Sequence, residues 1–221
     1  MKPYKIIDVS MDMDAFTFQD DQAVKVQGPF NRVEGNNPEY AYDLNLCTQS
    51  GTHVQGAHYF RADGKRIDQY PLTAFEGEAV LIGISKRGVD TTESEMIRLV
   101  DHLDLNGKIL ILRTGHMEEV IQTGILESAS RPGLSMEAAV YLAEIKRIKM
   151  IAIDSVGVES RMTRNYEVNH YLGGKDVLIL EGLMNLFAVS QQEVILEAFP
   201  LKIRGVEGTP CRAIIKEFIK I

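Results

Sequence analysis

The chain is poor in the residues that mark several functional classes. Only two cysteines occur in 221 residues. Cys47 and Cys211 are a single distant pair, which excludes a disulfide framework, and two thiolates alone do not make a structural zinc site. The N-terminus lacks the apolar core and small-residue cleavage site of a signal peptide. Both absences point to a reducing, cytoplasmic setting. No apolar run approaches the roughly 20 residues needed to cross a bilayer. Positive charge is short as well: 24 Lys and Arg face 31 Asp and Glu, a net charge of −7. With no basic cluster, a nucleic-acid partner is excluded along with a membrane. Linkers, repeats and low-complexity segments are also missing, so one domain over residues 1–221 is expected.

What is present is an alternation of elements. Residues 4–10 read as a first strand. Residues 27–39, with Gly28, Pro29, Gly35 and Pro38, read as a loop. Residues 40–48 alternate apolar and polar, the period of a half-buried strand. Residues 79–84, 108–113, 149–153 and 176–181 are short apolar runs, consistent with buried strands. Thr92 followed by Glu95 and a helical apolar pattern predicts a helix over 92–103. Ser135 opens another over 135–147, and Gly173-Gly174 stops a third that begins at 165. Residues 194–203 and 211–219 form a final strand pair, with Gly205, Gly208 and Pro210 as their turn. Strands alternating with helices from about residue 79 predict an α/β fold with a partly parallel sheet. The helices are too few for an eightfold barrel.

Chemistry concentrates in Gln49-Ser50-Gly51-Thr52-His53-Val54-Gln55-Gly56-Ala57-His58-Tyr59-Phe60. Read as extended, this segment places Gln49, His53, Gln55, Ala57 and Tyr59 on one face. Glu181 ends an apolar strand, where a carboxylate is rarely buried without a partner. Asp154 also ends a strand and reads as a loop cap, with Arg113 as its ion-pair partner.

The segment resembles the metal-ligand motif of the cyclase family, which includes the bacterial kynurenine formamidases. Gly51, Thr52, His53 and Phe60 match that motif. Further matches follow in order: Arg113-Thr114-Gly115, Pro132-Gly133-Leu134-Ser135 with Glu137-Ala138-Ala139, Ile153-Asp154-Ser155, Leu172 to Leu183 with Glu181, and Gly208-Thr209-Pro210 near Arg212. The resemblance implies a three-layer β/β/α cyclase-like (swivelling-domain) fold with a mixed sheet, and a homodimer or homotetramer. It also implies a hydrolase of amide, ester or lactone bonds in a small-molecule substrate. Conversion of N-formylkynurenine to kynurenine and formate is the family reaction, with a divalent metal, zinc or manganese, activating water.

Carried over residue by residue, the resemblance assigns His53 and Glu181 to the metal. Gln49 and Gln55 stand where the family has His and Asp, Tyr59 where it has a catalytic His, and Asn169 where it has a late metal His. His58 and His170 neighbour the last two positions. The implied roles are catalytic for Tyr59, His58 and Glu181; substrate-binding for Gln49, Thr52, Gln55, His116 and Asn169; and metal-ligating for His53, Glu181 and His170. Two alternatives stay open: a non-catalytic relative that binds a small polar ligand, and a metal-free acid/base enzyme that uses His53 and Glu181.

Overall fold

The computed structural model describes residues 3–17, 23–31, 39–84, 87–160, 162 and 165–219. The strands are β1 (Tyr4–Asp8), β2 (Lys25–Asn31), β3 (Tyr40–Asn45), β4 (His53–Gln55), β5 (Glu76–Gly83), β6 (Asp90–Thr91), β7 (Ile109–Arg113), β8 (Gly133–Leu134), β9 (Met150–Ile153), β10 (Leu178–Glu181), β11 (Glu193–Pro200) and β12 (Gly208–Phe218). The α-helices are α1 (Glu93–Val100), α2 (His116–Thr123), α3 (Met136–Val140) and α4 (Glu167–Gly174). Among the described residues no helix is long and apolar enough to cross a membrane.

The main sheet is mixed and runs β1-β12-β11-β5-β7-β9-β10-β4. β5, β7, β9 and β10 are parallel neighbours, and β1, β11, β12 and β4 pair antiparallel. β4 also pairs with the start of β12, so the sheet curls into a closed, barrel-like wall. Side chains alternate across that wall. Ala79, Leu81, Ile109, Ile111, Met150, Ala152, Leu178 and Leu180 fill the inside, packed on residues of β11 and β12. Val80, Ile82, Leu110, Leu112, Ile151, Ile153 and Ile179 face outward under α1, α3 and α4. Strands buried on both faces need continuous apolar runs, which explains their sequence. Helices, parallel strands and the antiparallel return make the expected three layers of an α/β fold.

Several boundaries follow the sequence pattern. The Thr92–Glu95 capping box is present at α1, and the Ser135 side chain accepts from the Ala138 amide at α3. α3 continues as a π-helical turn over Tyr141–Ile145.

Others differ. Residues 27–31 are not loop; they belong to β2, which pairs with β3 across a bulge between Gln27 and Phe30. Residues 32–38 of that expected loop lie outside the described residues. β3 is not half-buried. Tyr40, Tyr42 and Leu44 are exposed, and so is Val26 opposite Leu44. The alternation there marks an apolar face on a separate two-stranded ribbon. α4 starts at Glu167 rather than 165 and takes in Gly174; Gly173 lies where the ring of Phe60 packs against the helix. A β-carbon on Gly173 would lie 2.4 Å from Phe60 Cδ2. Gly208 and Pro210 are strand residues rather than turn, since they pair with Gln55 and His53. A β-carbon on Gly208 would meet the Val54 carbonyl oxygen at 2.4 Å. α2 has no counterpart in the sequence pattern; left-handed Gly115 and Gly124 bound it at its two ends.

Candidate active site

A cleft of about 500 Å³ opens where β10 ends, lined by His53, Gln55, Asn169 and Glu181 at its base and by Tyr59, Phe60, Tyr166 and His170 among its outer residues. Ligand sites in open α/β sheets sit beyond the carboxyl ends of parallel strands. In this fold the strand register builds the site. Antiparallel pairing puts His53 directly opposite Glu181. Val54 points into the core, so His53 and Gln55, its neighbours on either side, share the other face.

His53 and Glu181 are both buried, with His53 Nε2 3.7 Å from Glu181 Oε2. That separation is too long for a direct hydrogen bond between the two groups. His53 Nδ1 lies 2.9 Å from the Gly51 carbonyl, which requires the proton on Nδ1 and leaves the Nε2 lone pair forward. Gln55 Nε2 donates to that lone pair at 3.0 Å and to Gln49 Oε1 at 2.6 Å. Gln49 in turn donates to Glu207 at 3.0 Å. A polar chain thus runs from Glu207 to the imidazole.

Burial lifts the Glu181 carboxyl above the usual carboxylate range; the His53 ring, the Arg131 charge, the Gly157 amide and Gln55 pull the other way. Two amide oxygens at the base, Gln55 Oε1 and Asn169 Oδ1, are buried without a hydrogen-bond partner among the described residues. Such atoms are rare in native proteins and mark where a ligand or water belongs.

The expected site residues separate into those the fold brings together and those it does not. Gln49, His53, Gln55, Tyr59, Asn169, His170 and Glu181 line the cleft. Tyr59 and His170 stand as outer residues, each edge-on to Phe60, at 4.9 and 5.7 Å between ring centroids. His58 is absent from the lining, because β4 ends at Gln55 and a 3₁₀ turn over Ala57–Tyr59 breaks the alternation. Thr52 is also outside. Its hydroxyl donates to the Gly182 carbonyl at 2.6 Å and accepts from the Met11 amide at 2.8 Å, so it ties three segments behind the site.

His116 does not border the cleft. It is fully buried, with Nδ1 2.8 Å from Ser155 Oγ. Burial, then the Arg87 and Arg131 charges, push its pKa down to about 4. Asp154 caps the loop after β7, accepting from the Thr114 and Gly115 amides at 2.7 Å each and from the Thr114 hydroxyl at 2.6 Å. Arg113 is not its partner; the guanidinium lies 5.1 Å from the Phe187 ring centroid.

Two residues of the site carry no mark in the sequence pattern. Arg131 lines the cleft, and Gly157 (φ +77°) lies between it and the acid. A β-carbon on Gly157 would come within 3.1 Å of Arg131 Nη2 and 3.6 Å of both Asn169 Nδ2 and Glu181 Oε1. The one available signal was an arginine directly before Pro132-Gly133.

A family model described as putative cyclase matches residues 7–160. Kynurenine formamidase of Geobacillus thermodenitrificans (strain NG80-2) is 26% identical over 223 residues, covering 98% of this chain and 99% of that protein. Kynurenine formamidase of Bacillus anthracis is 25% identical over 219 residues, with 98% and 99% covered. Among solved structures, isatin hydrolase A from Labrenzia aggregata bound to benzyl benzoate superposes with a TM-score of 0.84 at 19% identity, covering 98% of this chain and 94% of that one. A protein described as a potential metal-dependent hydrolase with cyclase activity gives a TM-score of 0.78 at 21% identity, with 99% and 100% covered.

The donors at the cleft base do not fit a zinc or manganese ion. Among the described residues no three His, Cys, Asp or Glu side chains converge on one point. His170 is exposed at the edge-on contact with Phe60 and does not join His53 and Glu181 as the expected third ligand. Catalytic zinc takes three protein ligands from imidazole, thiolate or carboxylate. At the cleft base the set is one imidazole and one carboxyl, and the imidazole lone pair is already engaged by Gln55.

Proposed function

The chain belongs to the cyclase family, and from that premise we propose that it is a hydrolase of an amide, ester or lactone bond in a small polar substrate, worked by His53 and Glu181. The cross-strand pair carries this reading: two buried titratable groups with 3.7 Å between them, at the base of an open cleft. The Nε2 lone pair held forward by the Gly51 carbonyl is the natural proton acceptor for an attacking water, in the place that the Gln55 amide now fills. The Glu181 carboxyl, held protonated toward higher pH by burial, is the natural donor to the departing nitrogen or oxygen. The two groups thereby divide base and acid roles through environment. Tyr59, edge-on to Phe60, serves as a contact for the substrate. The relatives named kynurenine formamidase support an amide as the scissile bond.

A second reading is a non-catalytic binding site, favoured by the unpartnered oxygens of Gln55 and Asn169. Self-association is part of the proposal. Val26, Tyr40, Tyr42 and Leu44 form an exposed apolar face on the β2–β3 ribbon, and a lone two-stranded ribbon is marginal in water. A second copy of the chain would cover it.

The test is hydrolysis of N-formylkynurenine, formanilide and simple lactones by chelator-treated protein, before and after addition of zinc or manganese. Turnover that survives chelation and falls on His53→Ala supports the hydrolase. Intact substrates under both conditions remove it, and activity that depends wholly on added metal removes the division of base and acid roles between His53 and Glu181.

A further inference from the structure

Arg131 is the positively charged side chain among the cleft-lining residues whose donors are not fully used. Among the described residues its one side-chain hydrogen bond is from Nη2 to the Val156 carbonyl, at 2.5 Å. Its Nε–H is buried with no acceptor among those residues. No carboxylate of the described residues lies within ion-pair distance of the guanidinium, although its charge is felt by both Glu181 and His116. A buried, unspent guanidinium donor costs free energy unless an acceptor arrives, and a planar anion suits its fork best. Gly157 keeps the approach open, since a β-carbon there would stand 3.1 Å from Nη2. On the same cleft, Gln55 Oε1 and Asn169 Oδ1 are acceptors that lack donors. The unsatisfied atoms therefore define the complement of a ligand: one anionic acceptor, and N–H or O–H groups beside it.

We infer that Arg131 is the anion-binding residue of this cleft and that its ligand is a small carboxylate bearing an N–H or O–H donor. The inference rests on the cleft being the functional site, a premise shared by the catalytic and the binding readings. It deepens both by stating the ligand's chemical class.

The experiment is calorimetric titration of the full chain, in chelator, with mandelate, mandelamide and phenylacetate. These share a phenyl ring for the aromatic part of the lining. Mandelamide lacks the charge, and phenylacetate lacks the hydroxyl donor. Mandelate is expected to bind at least about tenfold more tightly than either. Arg131→Gln is expected to erase the preference of mandelate over mandelamide while shifting mandelamide itself by less than about threefold, and Arg131→Lys to retain part of it. Equal affinities in the parent chain, no binding of mandelate, or an unchanged preference in Arg131→Gln would each overturn the inference. Where Arg131→Gln does not fold, Arg131→Lys and the parent-chain comparison decide. A chain that hydrolyses nothing but shows the Arg131-dependent preference loses the hydrolase reading and keeps this one; an active chain that is indifferent to the probes' charge does the reverse.

Discussion

Two buried polar clusters sit at the carboxyl ends of neighbouring parallel strands of one sheet, and they differ in how completely their atoms are used. Behind the cleft, Asp154 accepts from two amides and a hydroxyl, and the His116 ring nitrogens face the hydroxyls of Ser155 and Ser130 at 2.8 and 3.4 Å. His116, Asp154 and Ser155 in that cluster are fully buried. At the cleft base, His53 and Glu181 leave a gap between them, and Gln55, Asn169 and Arg131 each keep an unspent atom. Saturation and closure are the signature of a structural node. Incomplete pairing, on side chains that cost free energy to bury, is the signature of a site awaiting a ligand. The contrast separates histidines that composition cannot separate: His116 belongs to the node and His53 to the site.

The largest break in this contrast is expected from the site. Glu181→Gln and His53→Ala should each lower kcat/KM by about 10²–10⁴ while leaving the urea midpoint nearly unchanged for the isosteric Gln. A Glu181→Gln chain with full activity would show that the carboxyl takes no part. Asp154→Ala attacks the node instead. It strands the Thr114 and Gly115 amides, and a loss of about 2–4 kcal/mol in unfolding free energy is expected from urea titration. A loss below the scatter of that measurement would mean that the loop finds other acceptors.

A smaller effect should appear with pH. The folded-state pKa of His116 is pushed down to about 4 from 6.5, so its contribution is present above pH 6.5 and lost as pH falls toward 4. Asp154 is raised to about 6 from 3.8 by burial, so its contribution is present below 3.8 and lost as pH rises through 6. The two oppose each other over one window. Removing the ring in His116→Asn should therefore stabilise the chain at pH 5, relative to its offset from the parent at pH 7, by about 1–2 kcal/mol. Parallel stability curves for parent and variant between pH 7 and pH 5 would refute it.

The smallest change sits between site and node. Gly157→Ala places a methyl in a left-handed position, 3.1 Å from Arg131 Nη2. A stability loss of about 1 kcal/mol is expected, together with weaker mandelate binding. Unaltered mandelate affinity in a folded Gly157→Ala chain would show that the approach to Arg131 lies elsewhere.

The apolar runs at 79–84, 108–113, 149–153 and 176–181 announced the parallel core, because strands covered on both faces cannot carry polar residues. The capping residues of α1 announced its start, since that hydrogen bonding is local. His53 and Glu181 were legible as candidates through their motif and through the cost of burying a carboxylate. What sequence alone could not decide was who meets whom. The 3₁₀ turn after Gln55 takes His58 off the cleft face, α2 carries His116 into the interior, and β12 rather than a turn receives Gly208 and Pro210. The pairing of β4 with β10 and β12 joins segments more than 100 residues apart, and His116 is buried by contacts with Ser130 and Ser155, for which local pattern holds no information. Arg131 entered the site the same way: only the placement of its neighbours leaves its Nε–H without an acceptor.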